Sequence, residues 1–389
     1  MHPAFPRRSF SLAALAAAAA LAGCASDNSR AEAEAEAARI AAAEAAARRP
    51  PPIALSESIA EDASIYVAFT RDMAAIEGGF QDPEAIQAAL RRGSAYNPAQ
   101  ISRGLIAYAS IIALQSPEFV AGVRQYAGHP EAREKLIADI VADPRYASWL
   151  PGADAAAGLV MDALRNDIAA LGRAADSVEN DAYAIQARYD PRRAWGVAPV
   201  VDRDGRLEAA KARSTERMAP SAADAAALYA AAHSGAGLPV SGDAREPAYP
   251  RAVERAIALA ALAALGAGGD NARANTDALQ NDPVNQQCLD LSKLMLFQCL
   301  AASRPSYEDM FCLGRHVVRD LATCARGVAM PAPVVTVSDV SQVGPARPAA
   351  PPIVITPAPP VPPVVVPVAP PVPGQSPTER LNTGGRPPG

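Results

Sequence analysis

Apolar residues recur at helical spacing along the chain, and the longest such run lies between Ala153 and Tyr189. Its apolar positions alternate steps of four and three residues, which keeps one seam on one side of a helix for more than three heptads. These positions are Leu164, Ile168, Leu171, Ala175, Val178, Ala182, Ile185 and Tyr189. The pattern predicts a helix over 153–189 whose seam packs against helices of the same chain or, in a homodimer, against a second copy.

Capping residues that precede a proline predict where further helices begin. A Ser, Asp or Asn side chain can accept a hydrogen bond from the first turn, and proline tolerates the first helical position. Ser221 with Asp224 forms a similar start without proline. Gly93 and Gly128 are expected to end helices in the left-handed conformation. The capping pairs, which together indicate an all-α fold, are Asp82-Pro83, Asn97-Pro98, Ser116-Pro117, Asp143-Pro144 and Asp282-Pro283.

Two interruptions divide this helical region. Asp190-Pro191 is expected to end the long helix, and Gly196 to Leu207 is predicted to form a loop or a short β-hairpin around Asp204-Gly205. Segment 234–250 is rich in Gly and Pro, which predicts a linker between an N-terminal helical unit, 53–233, and a C-terminal one, 251–330. Within the latter, the apolar run Ala256 to Leu265 is too short to span a bilayer and is expected to be buried.

The two flanks differ from this helical region. Segment 24–52 is dominated by Ala, Glu and Arg with one large apolar residue, Ile40, and is predicted to form a solvated helical spacer. Segment 331–389 is rich in Pro, Val and Ala up to residue 373 and is predicted to be a disordered tail with polyproline-II character. The alternative for this tail is a spacer, or a docking peptide for a groove lined with aromatic residues.

The N-terminus carries a signal for export. Arg7 and Arg8 precede an apolar stretch that ends in Leu21-Ala22-Gly23-Cys24. This arrangement resembles the lipobox of bacterial lipoproteins. The resemblance implies removal of residues 1–23, acylation of Cys24 and anchoring in a lipid bilayer, and Ala25 favours the periplasmic face of the outer membrane. Arg7-Arg8-Ser9-Phe10 also resembles a twin-arginine motif, so the export route stays open.

Charge and composition limit the partners and the core. The formal charge is −5, and it becomes −7 without Arg7 and Arg8, which disfavours nucleic acid as a partner. Half of the residues are apolar, but many of these are alanine and only 5% are aromatic. Because alanine favours helices and buries little area, the expected core is helical and closely packed.

Four cysteines remain besides Cys24, an even number that suits disulfides in an oxidising compartment. Cysteines that are neighbours in sequence cannot pair if they lie on one helix. Their α-carbons are 11 or 12 residues apart, which is roughly 16–18 Å along a helix and too far for a disulfide. A helical hairpin that turns at 303–306 instead places opposite each other the pairs Cys288 with Cys324 and Cys299 with Cys312. Cys312 and Cys324 lie about 120° apart on a regular helix, so the second arm is expected to start late, to end early or to bend near Gly314.

The residues around these cysteines resemble the C-terminal region of predicted envelope lipoproteins that have no assigned activity. The similarity covers about 40 residues, which include 288–300 and 307–313, and it implies no function. His316 follows Cys312 by one turn, but the Cys-x2-Cys spacing typical of zinc sites is absent from the sequence. We therefore expect structural disulfides, no metal and no cofactor.

No sequence motif identifies a catalytic site. The chain lacks a Gly-x-Ser-x-Gly elbow, a His-Glu-x-x-His motif and a phosphate-binding glycine loop. Glu57-Ser58 matches a dipeptide of helical peptidoglycan lyases without the motif that should follow it. We predict a non-enzymatic outer-membrane lipoprotein that acts as a scaffold or accessory subunit through contacts with an envelope protein. The alternatives are a cell-wall hydrolase with a dispersed acidic site and a helical binder of a small apolar ligand.

Overall fold

The computed structural model describes residues 27–47 and 49–332, and it confirms the all-α fold. Cys24, the predicted signal peptide before it and the predicted tail from residue 333 lie outside the described residues. The helices are α1 (Asp27–Ala47), α2 (Glu57–Ala74), α3 (Pro83–Gly93), α4 (Pro98–Ala113), α5 (Pro117–Ala127), α6 (Pro130–Ala142), α7 (Ala153–Ala187), α8 (Ala194–Val197), α9 (Arg203–Thr215), α10 (Ala222–Ser234), α11 (Arg251–Ala264), α12 (Arg273–Gln280), α13 (Pro283–Ala302), α14 (Ser306–Leu313) and α15 (Asp320–Ala329).

Shorter helical segments join these helices. Three are 3-10 turns, at Pro144–Trp149, Pro191–Arg193 and Asp270–Ala272. A π-helical segment, Gly314–Arg319, runs without a break between α14 and α15. Residues 306–329 therefore form one continuous helical rod with a change of winding near its middle.

Most of the predicted helix starts are confirmed by cap geometry. The side chains of Asp82, Asn97, Ser116 and Asp282 each accept a hydrogen bond from a backbone amide of the helix that follows. Ser221 caps α10 in the same way. Asp143 caps only the 3-10 turn Pro144–Trp149, so no α-helix begins there.

The predicted glycine stops are correct in position and wrong in conformation. Helix α3 ends at Gly93 and α5 ends immediately before Gly128. Gly128 has φ −80°, which is right-handed, and Gly93 is not among the glycines with positive φ. Both ends close because the next backbone amides bond back to helical carbonyls, so neither needs the freedom of glycine.

The centre of the core is a stack of α2, α4 and α11. Helices α2 and α4 approach closely at Gly104, where a Cβ would lie 2.4 Å from the carbonyl oxygen of Asp62. The run Ala256 to Leu265 is buried at every position, which confirms the expectation for this helix. Helix α11 packs on α4, so chain segments before and after 234–250 share this core.

Helix α7 is the predicted long amphipathic helix, and its apolar seam packs against other helices of the same chain. The seam residues from Leu164 to Ile185 are all buried against α2, α4 and the rod 306–329, whereas Tyr189, beyond the helix, is 66% exposed. The seam therefore packs on helices of its own chain. A second copy could reach these residues only if the fold opened.

The prediction of a short β-hairpin at 196–207 is wrong. Asp202, at φ 49°, accepts a hydrogen bond from the amide of Gly205 and begins helix α9, so Asp204-Gly205 lies in a helical turn. The only pairing in this stretch of the described chain is one isolated antiparallel bridge between Pro199 and Pro305. A capping aspartate has therefore overridden the turn tendency of Asp-Gly.

Helix α1 is solvated, as its composition predicts. All of its described side chains are exposed, including Ile40 at 53%. Its ion pairs, Arg30 with Glu34 and Arg39 with Glu36, lie within the helix. Its helicity therefore depends on alanine propensity and local pairs, without a packed face.

Candidate functional site

The C-terminal region forms the predicted disulfide-clamped hairpin of α13 and the rod 306–329. Cys288 is bonded to Cys324 and Cys299 to Cys312, with a Cα–Cα distance of 5.7 Å in each pair. The pairing is the one expected from antiparallel arms. The two crosslinks lie near opposite ends of α13, so they hold this helix against the rod along most of its length.

The π-helical segment explains how both cysteines of the rod face α13. Twelve residues separate Cys312 from Cys324, which would place them about 120° apart on a regular α-helix. A π segment accommodates one extra residue in a helix, so the twelve steps turn like eleven. Eleven steps leave about 20°, as for Cys288 and Cys299 on α13. The predicted bend near Gly314 is thus replaced by a change of winding at Gly314–Arg319.

Close packing against α7 accompanies this segment. A Cβ on Gly314 would lie 3.0 Å from Cγ of Glu179 on α7. Arg319 donates hydrogen bonds to Glu179 at 2.6 Å and to Asp176 at 2.7 Å. The bonds to these carboxylates raise the pKa of Arg319 further above its usual range. The segment is therefore fixed to α7 by an ion-pair cluster.

Helix α13 turns polar side chains inward. Asn285, Ser292 and Lys293 are all buried. The Lys293 ammonium lies 4.5 Å from the ring centroid of Tyr96 and donates a hydrogen bond to the carbonyl of Ser214. Burial lowers the pKa of Lys293 to about 8. This inward face is stabilised by hydrogen bonds and a cation–π contact in addition to apolar packing.

The outward face of α13 carries four exposed apolar side chains, with the exposed amides of Gln287 and Gln298 among them. Val284, Leu291, Leu294 and Met295 are 48%, 58%, 50% and 38% exposed. Their spacing of seven, three and one residues places them on one side of the helix. We call these four residues the hairpin face. Asp290 is the only exposed charged residue of α13.

A buried ion pair anchors the turn of the hairpin to the body. Arg206 of α9 pairs with Asp309, and their side chains are 7% and 0% exposed. Asp309 also accepts hydrogen bonds from Ser303 at 2.6 Å and from Gln87 at 2.7 Å. Because all these partners converge on one buried carboxylate, the turn between α13 and α14 has a fixed position on α3 and α9.

A groove lies between this turn and α7. Its volume is about 380 Å³. Tyr183 and Phe311 form an aromatic pair across it, with ring centroids 5.7 Å apart. We call it the aromatic groove; its lining residues are Ala182, Tyr183, Gln186, Cys299, Ala302, Ser303, Tyr307, Glu308 and Phe311.

One acidic candidate for catalysis is Asp62, in a cleft of about 530 Å³ between α2 and α4. Burial raises the pKa of Asp62. Its carboxylate accepts a hydrogen bond from Arg103 at 3.1 Å, and Arg103 also bonds to Gln280. The carboxylate therefore serves an ion pair within the fold. Arg217 and Arg273 also line this cleft.

The other residues singled out in the sequence form no catalytic arrangement among the described residues. Glu57 is exposed in the first turn of α2, and Ser58 contacts Ser56 at 2.8 Å. His129 is exposed, and His233 stacks on Tyr229. Residues 27–47 and 49–332 contain no group of three or more His, Cys, Asp or Glu side chains arranged to hold a metal.

A search of the described residues for membrane spans gives one weak candidate. No single helix there is long and apolar enough to span a membrane. Helices α4 and α5 reach that length and composition only as a pair, and the angle between them is 86°. Thirteen of the sixteen residues of α4 are buried in the protein core.

Comparison with known proteins gives no relative. No family model, no curated protein and no solved structure matches this chain.

The hairpin face and the aromatic groove were not predicted from the sequence. Leu291, Leu294 and Met295 lie among Leu289, Leu296 and Leu300, which are buried, so α13 is apolar on two sides. The sequence signal that could have predicted the hairpin face is this presence of large apolar residues on both sides of one helix. Tyr183 and Phe311 are 128 positions apart, and no local pattern connects them.

Proposed function

We propose that this protein is a non-enzymatic lipoprotein on the periplasmic face of the outer membrane, where it acts as a scaffold or accessory subunit through the hairpin face. The lipobox ending at Cys24 supports the anchor and the location. The pair of disulfides supports an oxidising compartment. Helix α1, about 32 Å long, separates the body from the proposed anchor.

The hairpin face is the observation that carries the proposed contact. Single exposed apolar side chains are common on proteins. Here four lie on one face of one helix whose opposite face buries Asn285, Ser292 and Lys293. A cluster of exposed apolar side chains bordered by polar ones is typical of interaction sites.

The chemistry of the hairpin face favours an apolar helix of another envelope protein as the partner. From Val284 to Met295 the face extends about 17 Å along α13, the length of three helical turns. A helix that docks through residues at intervals of three, four and seven would match it. The absence of exposed basic residues from α13 disfavours an anionic lipid surface.

The disulfides support this function by fixing the face before a partner arrives. A helix that is held at Cys288 and Cys299 loses less conformational freedom on binding than an unclamped one. The buried Arg206–Asp309 pair fixes the turn end of the same helix. The face is therefore presented on a rigid support.

The test compares native complexes extracted from membranes with mild detergent. The double variant Leu291→Glu with Leu294→Glu should lose a complex that the unmodified protein forms with a defined envelope protein. Val201→Glu is the control, because Val201 is 88% exposed and lies outside the hairpin face. Retention of the complex by the double variant, or recovery of the protein from the cytosol without an acyl group on Cys24, would refute the proposal.

A further inference from the structure

Three arginines converge on the cleft between α2 and α4. Arg103, Arg217 and Arg273 all line this cleft of about 530 Å³, which we call the arginine cleft. We propose that it binds the oxyanion of a small soluble ligand, a phosphate or a carboxylate group. The inference goes beyond the proposed function and does not depend on it, since the hairpin face and the arginine cleft share no residue.

Segments that are far apart in sequence bring the three cations together. Arg103 belongs to α4, Arg217 to the connection between α9 and α10, and Arg273 is the first residue of α12. Burial raises the pKa of Asp62 in this cleft, and the guanidinium groups of all three arginines oppose that rise. The three positive charges therefore act on the same small region.

Two of the three cations have no partner of their own. Arg103 donates hydrogen bonds to Asp62 at 3.1 Å and to Gln280 at 3.3 Å. Arg217 and Arg273 are exposed, and neither has a hydrogen-bond or ion-pair partner among the described residues. Planar guanidinium groups bind carboxylates and phosphates through two parallel hydrogen bonds. An oxyanion in the cleft would give both groups a partner.

The backbone at Arg217 is held in place without a ligand. The side chain of Gln100, which is 8% exposed, donates to the carbonyl of Met218 at 3.1 Å and accepts from the amide of Met218 at 2.9 Å. These two bonds fix the connection between α9 and α10 to the first turn of α4. The chain at Arg217 therefore loses little conformational freedom when a ligand binds.

The ends of three helices add positive potential to the cleft. Helices α2, α4 and α12 all begin at its wall, where Ser58, Asn97 and Arg273 line it. The N-terminus of a helix carries partial positive charge and favours anions. Arg273 adds a full positive charge to the first turn of α12, where the helix dipole disfavours a cation. A bound anion would relieve this repulsion.

A buried donor without a partner lies beside Arg103. Gln280 is 0% exposed, and its amide oxygen accepts from Arg103 while its amide nitrogen has no hydrogen-bond partner among the described residues. Buried donors of this kind are uncommon and costly. The unpaired nitrogen adds to the preference of this region for an acceptor.

The acidic residues of the cleft limit the charge that it can bind. Asp62 is paired with Arg103, and Glu61 lines the cleft with an exposed carboxylate that has no partner among the described residues. The lining therefore carries three positive and two negative side chains in addition to the helix ends. This balance suits one anionic group, and the volume is in the range of small-ligand pockets.

The test is isothermal titration calorimetry of the full mature chain in detergent, with sodium phosphate and separately with sodium succinate at constant ionic strength. We expect saturable binding of at least one of these anions. Binding of phosphate alone would identify phosphorylated compounds as the ligand class, and binding of succinate alone would identify carboxylates. Absence of saturable binding with both anions would overturn the proposal.

Charge variants make the result specific to the cleft. Arg217→Ala and Arg273→Ala should each weaken binding about tenfold, the effect of one hydrogen bond to a charged group. Glu61→Gln removes an opposing charge and should strengthen binding. Arg173→Ala is the control, because Arg173 is exposed on α7 and does not line the cleft, and it should leave the affinity unchanged.

All four substituted side chains are exposed, so circular dichroism should show the same helical fold in every variant. Affinities of Arg217→Ala and Arg273→Ala equal to that of the unmodified protein would overturn the proposal. Equal weakening by Arg173→Ala would also overturn it, because the anion would then respond to the net charge of the protein and not to the cleft.

Discussion

Removing the two disulfides separately should destabilise the protein by unequal amounts. Cys288–Cys324 closes a sequence separation of 36 residues and Cys299–Cys312 one of 13. If a disulfide stabilises by restricting the unfolded chain, the longer loop contributes about 3.8 kcal/mol and the shorter about 2.9 kcal/mol at 25 °C. The bonds are nested, so with the inner one intact the outer one closes a shorter effective loop and contributes about 3.4 kcal/mol, and with the outer one intact the inner one contributes about 2.5 kcal/mol.

The packing lost in the two variants is similar. Each disulfide joins one half-buried cysteine of α13 to one buried cysteine of the rod. Replacing each pair by alanine therefore leaves the loop length as the main difference between the variants. Urea denaturation followed by circular dichroism should give a larger loss of unfolding free energy for Cys288→Ala/Cys324→Ala than for Cys299→Ala/Cys312→Ala. A reversed order, or losses below about 1 kcal/mol in both, would refute this reasoning.

Three further substitutions test the buried charges, with urea denaturation as the measurement. Burial raises the pKa of Asp167 from 3.8 to about 6, so the folded protein loses stability as the pH rises through this interval. Asp167→Asn should therefore be more stable than the unmodified protein at pH 8, by about 3 kcal/mol at most, and no more stable at pH 3. Burial lowers the pKa of Lys293 from 10.5 to about 8, so the protonated side chain destabilises the fold below pH 8. Lys293→Met also removes the favourable contact with Tyr96, so it should stabilise the protein by about 2 kcal/mol at pH 7. This gain should disappear above pH 10. Asp309→Ala leaves Arg206 buried without its partner and should cost about 3–5 kcal/mol, while Arg206→Met/Asp309→Leu should recover much of the loss. Stability of Asp167→Asn and Lys293→Met that follows the unmodified protein at every pH, or an Asp309→Ala variant of full stability, would contradict these assignments.

Local chemistry made much of the fold predictable from the sequence. The capping residues at Asp82, Asn97 and Asp282 are read correctly because a cap depends on neighbours within four positions. The disulfide pairing is also correct, because antiparallel arms impose a simple relation between positions. Local rules misled at Asp204-Gly205, since a cap two residues earlier competes with the turn.

Features that depend on distant partners were not predictable. Arg206 and Asp309 lie 103 positions apart, and their pairing follows only once the hairpin turn docks on α9. The π segment has no residue signature of its own. It allows Cys312 and Cys324 both to face α13 while Gly314 packs against α7. The candidate surfaces depend on which faces the fold leaves uncovered, so they became visible only in the structure.

Photo-crosslinking from the hairpin face in intact cells is the most direct test of the proposed function. Benzoylphenylalanine at Leu294 should join the protein to one envelope protein through a helix of that partner, and Leu291→Glu in the same chain should abolish the adduct. The same group at Val201 should give no such adduct. An adduct that survives Leu291→Glu, or adducts at Leu294 and Val201 with the same spectrum of proteins, would contradict the claim that this face is the site of action.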